Sequence, residues 1–208
     1  MPGRKMVRRS LKAMGQNSPI RLDHARRWEE IEPILSEFAQ AHVARFLATG
    51  RVSNLATAER RLFLEQLAKL LSGPGWVVLT RMMTGDKTIA WNYGFQFEGT
   101  WFWYQPTFDP SLERYSPGFC LLTKLIEEAI ENPALHMVDL GLGAEDYKER
   151  FANQTRKTLY ITLRSSVAKH VREIVRYRVA ELIKTSPRLE ASVRTIARLG
   201  RLGKIRDY

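Results

Sequence analysis

A single cysteine, Cys120, in 208 residues excludes an internal disulfide. It lies in Phe119-Cys120-Leu121-Leu122 with no base beside it to draw off the thiol proton, and reads as a small buried core residue. Histidine is scarce too: His24, His42, His136 and His170 are scattered and make no zinc-ligand spacing, so no metal is expected. No stretch approaches the roughly 18 uninterrupted apolar residues of a membrane span. The basic start (Arg4, Lys5, Arg8, Arg9, Lys12) has no apolar signal segment behind it, which makes the expected location cytoplasmic. There is no dinucleotide fingerprint, no Ser-His-Asp pattern, no repeat and no low-complexity tract.

What is plentiful is positive charge, and it is unevenly spread. The net charge is +11, of which residues 1–27 carry +7 and residues 164–208 carry +8, leaving −4 on residues 28–163. An apolar fraction of 44% is ordinary for a chain with one ample core. The expected organisation is a basic lead-in over 1–27, a folded domain over 28–163 and a basic helical tail over 164–208. Basic ends suit an anionic neighbour, such as a phospholipid surface or a nucleic acid, and equally suit solvated helix faces.

Periodicity sets out the elements. Glu29 to Leu47 places Ile31, Ile34, Leu35, Phe38, Ala41, His42 and Phe46 on one helical stripe. Thr57 suits the cap of a second helix, whose Leu64, Leu67, Ala68 and Leu71 share a face until Ser72-Gly73-Pro74-Gly75 stops it. Strands are expected at Trp76–Thr80, at Ile89–Phe97 and, after Glu98-Gly99, at Thr100–Gln105. A loop over 106–115 leads to Ser116-Pro117-Gly118, where Ser can cap and Pro suits the first turn of a helix running to Glu131 with Phe119, Leu122, Leu125, Ile126, Ala129 and Ile130 inward. A short strand at His136–Leu140, a short helix over 144–152 pairing Tyr147 with Phe151, a strand at Thr158–Leu163 and basic helices over 165–185 and 188–202 complete the chain. The fold class is α+β, with a mixed, mostly antiparallel sheet flanked by helices.

A strand leading through a loop to a helix start can hold a phosphate, because the first amides of a helix have no internal partner and its dipole favours negative charge there. Arg114-Tyr115-Ser116-Pro117-Gly118 fits that pattern, with Arg114 adding charge and Gly118 allowing close approach. Around it stand Trp91-Asn92-Tyr93-Gly94-Phe95, Tyr104-Gln105-Pro106-Thr107-Phe108-Asp109, Asp139, and Glu145-Asp146-Tyr147-Lys148-Glu149-Arg150-Phe151, preceded by His42-Val43-Ala44-Arg45-Phe46. In this order and spacing the runs resemble the GNAT acyltransferases, in particular the Fem-like branch with the CelD-like, cellulose-biosynthesis-associated acetyltransferases.

That resemblance implies a GNAT sheet that parts between the strands at 101–105 and 136–140. An acyl thioester, acetyl-CoA or another acyl-CoA, would lie in the gap with its pyrophosphate against Gln105, Arg114, Tyr115, Ser116, Pro117 and Gly118. The superfamily's usual glutamine/arginine-x-x-glycine-x-glycine/alanine loop is absent and Arg114 to Gly118 stands in its place. An acyl-carrier protein, or an aminoacyl-tRNA as in the Fem-like enzymes, therefore remains open as donor.

The transfer is direct attack on the thioester by an amine or hydroxyl of a cell-envelope or polysaccharide-related acceptor. Asp139 is the candidate base or acceptor positioner, or else the cap of the following turn. Tyr147 is the candidate acid, or else packs on Phe151. Lys148 neutralises a phosphate or an acidic acceptor, or else is a surface lysine. His42, on an apolar helix face, reads as a satisfied core histidine.

A different reading is a basic module without chemistry, whose basic ends clamp nucleic acid or an anionic membrane while the exposed half of the cluster Trp91, Tyr93, Trp101, Phe102, Trp103 and Tyr104 stacks bases. Apolar residues from Leu182 to Leu199 interleaved with Lys184, Arg188, Arg194, Arg198 and Arg201 suit peripheral membrane contact. Many members of the resembling branch carry a second related domain ahead of this one, which makes a homodimer, or a GNAT-like domain on another chain, an expected partner.

Overall fold

The computed structural model describes residues 3–143, 145–159, 161, 166, 167, 170–172, 174, 175, 178 and 179. The chain divides into a compact unit, Met1–Thr155, and a second, Arg156–Tyr208.

The first unit is built on a five-stranded sheet in sequential order. Its elements are α1 (Arg4–Met14), β1 (Ile20–Ala25), α2 (Trp28–Ala48), a 3-10 turn at Asn54–Ala56, α3 (Ala58–Ser72), β2 (Val77–Thr84), β3 (Lys87–Phe97), β4 (Thr100–Phe108), a 3-10 turn at Pro110–Tyr115, α4 (Pro117–Glu131), β5 (Met137–Asp139) and α5 (Asp146–Glu149). Strands β1 to β4 are antiparallel, and β5 runs parallel to β4. The mixed, mostly antiparallel sheet flanked by helices is the architecture expected from the periodicity.

Residues 4–25 belong to the sheet and its cover, where a lead-in ahead of the domain was expected. Helix α1 buries Val7, Ser10 and Met14, one sharply defined face of a helix whose charges make it polar on average. Strand β1 pairs with β2, placing Asp23 opposite Arg81, with which it forms an ion pair, and His24 opposite Thr80. Strand β4 also runs three residues past Gln105, the expected end, because Pro106 tolerates an extended backbone and Thr107 and Phe108 still pair with β3.

Helices cover both faces. Ile31, Phe38, Leu64, Ala68, Val77, Leu79 and Tyr93 form the core under α2 and α3, where the Tyr93 hydroxyl donates to the Leu64 carbonyl at 3.1 Å. Val7, Met82, Ile89, Trp101, Trp103, Cys120, Leu121 and Leu122 form the core under α1 and α4. Cys120 is fully buried, and burial pushes its thiol up to about 11, which fits a packing role. Ile130, expected inward, is 72% exposed because α4 turns only one stripe to the sheet.

The hairpin between β3 and β4 turns on Glu98 and Gly99, both at positive φ, as a two-residue connection matching strand twist requires. Its ladder then slips. Phe95 pairs with Phe102 and Tyr93 with Gln105, so Gly94 alone faces both Trp103 and Tyr104. This is a β-bulge on β4. Gly94 is needed opposite it, since an added Cβ would stand 2.6 Å from Asn92 Oδ1 and 2.9 Å from the Phe102 carbonyl oxygen.

In the second unit the described part of the strand expected at Thr158–Leu163, namely Thr158, Leu159 and Ile161, has no regular structure, and Leu159 is 82% and Ile161 74% exposed. Residues 167, 170–172, 174, 175, 178 and 179 are helical, within the helix expected over 165–185. The helix expected over 188–202, and the membrane contact read from Leu182 to Arg201, lie outside the described residues.

Gly94→Ala is expected to cost about 1–3 kcal/mol, because a backbone oxygen cannot yield as a flexible side chain can. Gly73→Ala, where the backbone is right-handed helical and an added Cβ meets nothing within 4 Å, is expected to be neutral or to stabilise by about 0.4–1 kcal/mol. Thermal unfolding of the two variants beside the wild type checks both; equal midpoints would contradict the bulge.

Candidate functional site

The site begins where β4 and β5 separate. Their parallel ladder joins Thr100 to Met137, Trp101 to Val138 and Phe102 to Asp139, and goes no further, although β4 continues to Phe108. The parting starts at the bulged residues Trp103 and Tyr104: Gly141 still lies against the Trp103 carbonyl, whose oxygen is 3.2 Å from where a Cβ would be, and beyond it the β5-facing edge of β4 has no strand beside it. Backbone donors there can serve a ligand.

Two contacts drive β5 away. Asp139 Oδ1 accepts the Gly141 amide at 2.7 Å, and Gly141, with φ of 75°, turns the chain out of the strand direction. The Lys148 ammonium then donates to the carbonyls of Leu142 at 2.6 Å and Gly141 at 3.3 Å and pairs with Glu145 at 2.7 Å. Lys148 is buried, so it anchors this loop and is not the surface lysine weighed as one of its readings. Tyr147 is half-buried in the core beneath α4, as is Phe151, whose ring meets Phe119 at 4.9 Å.

The opposite wall is the start of α4. Ser116 does not cap this helix with its side chain, as had been expected; it sits in the left-handed region at φ 50° and ψ 55°. Strain in a non-glycine residue at a helix start is a mark of functional loops. Pro117 has no N–H and Cys120 already donates to the Ser116 carbonyl at 3.1 Å, which leaves the Gly118 and Phe119 amides as the open donors of the first turn. Arg114 is exposed, with its guanidinium 4.6 Å from the Tyr115 ring.

Helix α2 closes the third side with groups sequence reasoning did not place there. His42, 2% exposed, shares a 2.8 Å hydrogen bond between its Nδ1 and Ser53 Oγ, which also accepts the Leu55 amide at 2.9 Å. Burial, then the nearby Arg45 charge, lower its pKa to about 4 against an opposing hydrogen bond with Gln105, so the imidazole is neutral at physiological pH. The Arg45 Nη1 donates to the Pro106 carbonyl at 3.0 Å, and its Cζ lies 4.4 Å from the Phe108 ring centre. The spacing of His42 and Arg45 one helical turn apart was legible; their meeting with β4 was not, since it is a contact across more than 60 residues.

The structure thus brings Gln105, Ser116, Pro117 and Gly118 to one end of β4 and Asp139, Tyr147 and Lys148 to the other side of the gap. Two hollows of about 290 and 490 Å³ lie elsewhere, along the faces of α2 and α3 that carry Leu35, Val43, Leu47 and Arg61. Among the described residues no group of three His, Cys, Asp or Glu is placed to hold a metal ion, and no helix is long and apolar enough to cross a membrane.

The neutral His42 sets a pH dependence. Its folded pKa is lowered, so the unfolded chain takes up the proton first, near pH 6.5, and stability falls as pH drops from there toward 4. Between pH 6.5 and 5 this single group should remove on the order of 2 kcal/mol. Urea unfolding at several pH values should show His42→Gln losing less stability than the wild type over that range; parallel curves would contradict the assignment.

Residues 3–149 match the sequence profile of the acetyltransferase (GNAT) domain. No curated protein sequence matches the chain significantly. Among solved structures, a possible acetyltransferase from Clostridium difficile 630 superposes with a TM-score of 0.52 at 12% identity, over 71% of this chain and 99% of that one. An aminoglycoside acetyltransferase from an uncultured soil metagenomic sample, in complex with sisomicin, gives 0.48 at 18% identity over 70% and 97%. An integron cassette protein from the mobile metagenome of V. cholerae gives 0.46 at 14% identity over 73% and 96%. At such identities the first likeness speaks to fold alone. Together with a profile match over most of the chain, on a sheet that parts between β4 and β5, it establishes that this protein is a transferase belonging to the GNAT acetyltransferase domain family.

Proposed function

We propose that the protein moves an acyl group from acyl-CoA to an amine or hydroxyl of a polysaccharide- or cell-envelope-linked acceptor, in the manner of the Fem-like and CelD-like branch of its family. GNAT acetyltransferases take their acyl group from acetyl-CoA. The observation that carries the reading here is the conjunction of an open β4 edge with an uncapped α4 start at its end. The branch and acceptor class are supported by the motif order from His42 to Phe151.

In this reading the pantetheine arm takes the place along β4 that β5 vacates, and its phosphates meet the Gly118 and Phe119 amides, beside Arg114, Tyr115, Ser116 and Pro117. Gln105 lines the arm. Backbone donors at the Trp103–Tyr104 bulge meet the thioester carbonyl where charge develops. The acceptor nitrogen or oxygen forms its bond to the carbonyl carbon while the carbon–sulfur bond breaks. Asp139, fixed by the Gly141 amide, receives the acceptor's proton, and Tyr147 protonates the departing thiolate. Lys148 keeps the Asp139 loop in place.

Calorimetry with acetyl-CoA and longer acyl-CoAs should show a dissociation constant of about 1–100 μM, within the range of enzyme substrates. Gly118→Trp should abolish that binding, since even a Cβ there lies 3.3 Å from the Phe108 ring, while leaving circular dichroism unchanged. Failure of any CoA to bind would transfer the donor role to a carrier protein or an aminoacyl-tRNA. Asp139→Asn should lower kcat for thiol release by about 10²–10⁴-fold without weakening the donor; an unchanged kcat would reduce Asp139 to a turn cap.

A further inference from the structure

Arg45 is the charged group whose surroundings the fold alone does not explain. It stands in the last turn of α2, half-buried, and takes part in no ion pair among the described residues. A guanidinium offers five N–H donors and cannot give up its proton in a protein. One donor is used, on the Pro106 carbonyl. Removing a cation from water without a carboxylate beside it is costly, and such groups persist where they serve a ligand.

The charged and titratable groups that face it come from several elements. Arg51, following α2, repels it; Tyr147 on α5 and Glu113, in the turn before α4, attract it. The guanidinium therefore lies within electrostatic reach of both walls of the gap. It also shares a ring with the helix start: its Cζ is 4.4 Å from the Phe108 centre, and a Cβ on Gly118 would lie 3.3 Å from the Cδ1 of the same ring. That puts guanidinium and helix start within about 10 Å, the Debye length at 0.1 M salt. From the bulged Tyr104 to Phe108 the strand advances about 13 Å at its usual rise. Pro106, which Arg45 bonds, lies about 7 Å along that path and Phe108 at its end, so Arg45 stands between the bulge and the helix start, toward the phosphate end of a ligand lying along β4.

We infer that Arg45 is the buried cation of the donor site, giving N–H donors to a phosphate oxygen of the thioester donor opposite the Gly118 and Phe119 amides. This rests on the acyl-transfer reading for what the donor is, and commits to phosphate as the group bound. Coenzyme A and the phosphopantetheine of a carrier protein share that chemistry. Arg114, the cation that adjoins the helix start in sequence, lies on the Tyr115 ring in solvent and is the weaker candidate.

The test compares the full-length wild type, Arg45→Gln and Arg45→Lys, with thermal unfolding as the folding control. Desulpho-CoA binding is measured by calorimetry. Rates are measured with acetyl-CoA, acetyl-phosphopantetheine and acetyl-pantetheine, the last of which has no phosphate. Arg45→Gln should weaken desulpho-CoA and raise the KM for acetyl-CoA by roughly 10- to 100-fold, as expected for losing hydrogen bonds to a charged group. It should raise the KM for acetyl-pantetheine far less than that for acetyl-CoA, and Arg45→Lys should recover part of the loss. An effect on acetyl-phosphopantetheine equal to that on acetyl-CoA places the contact at the phosphate next to the arm, and a smaller one places it nearer the nucleotide.

Equal damage with acetyl-pantetheine, or unchanged desulpho-CoA binding, overturns the assignment. So does a wild type that binds no desulpho-CoA. Acyl transfer is read separately: a wild type that binds desulpho-CoA through Arg45 yet transfers nothing would sink the proposed reaction and keep the site.

Discussion

Strand β4 has a partner along one edge for almost its whole length and along the other for three residues. The rest of the site follows from that asymmetry. Backbone amides and carbonyls removed from water must be paired, and a strand edge left open inside a fold is stable only if a ligand, a loop or solvent completes it. The edge is kept open actively. Gly141 turns the chain aside, the Asp139 carboxylate and the Lys148 ammonium fasten the turn from two directions, and the bulge at Trp103 and Tyr104 rotates β4 where β5 leaves it. A lysine in this role fits better than an arginine would, because three rotatable N–H donors can address neighbouring carbonyls that point in different directions.

The bulge connects this opening to the rest of the sheet. It requires a residue without a side chain opposite, which β3 supplies as Gly94, and it shifts the alternation so that Gln105 and Thr107 both reach α2. The helix is thereby joined to the strand by polar contacts as well as by the apolar core. Ser53 orients His42, Thr107 bonds the Ala41 carbonyl, and Arg45 holds the Pro106 carbonyl. A displacement of α2 would reach the strand edge through these bonds.

Much of this was legible in the sequence. The hairpin strands, the turn at Glu98-Gly99, the capped start of α3 and the helix after Ser116-Pro117 all follow from local periodicity and turn chemistry, which act over a few residues. Helix α1 and strand β1 did not: the stripe of Val7, Leu11 and Met14 is strongly periodic, but the five cations around it make the segment polar on average, and it reads as a basic lead-in. Candidate residues close to a turn, such as Asp139 and Gly118, could be named from their neighbours. The burial of Lys148 could not be read from the sequence, since it depends on carbonyls of a loop whose path no local rule dictates. The one available sign of the bulge was Gly94, a glycine in the middle of a strand pattern.

The contrast between His42 and Arg45 shows how the fold apportions charge at the site. Both stand on one side of α2, one turn apart, against the end of β4. The imidazole can meet burial by losing its proton, and the fixed charge of Arg45 reinforces that choice. The guanidinium has no such option and stays charged at any pH at which the protein is folded. A neutral histidine does not compete for an anion, whereas a protonated one would add a second positive charge beside Arg45. In the proposed reaction, a neutral His42 leaves the anion-attracting field to Arg45 and the α4 start, and the bulged end, where a thioester carbonyl would gain negative charge only during reaction, would be served by backbone dipoles.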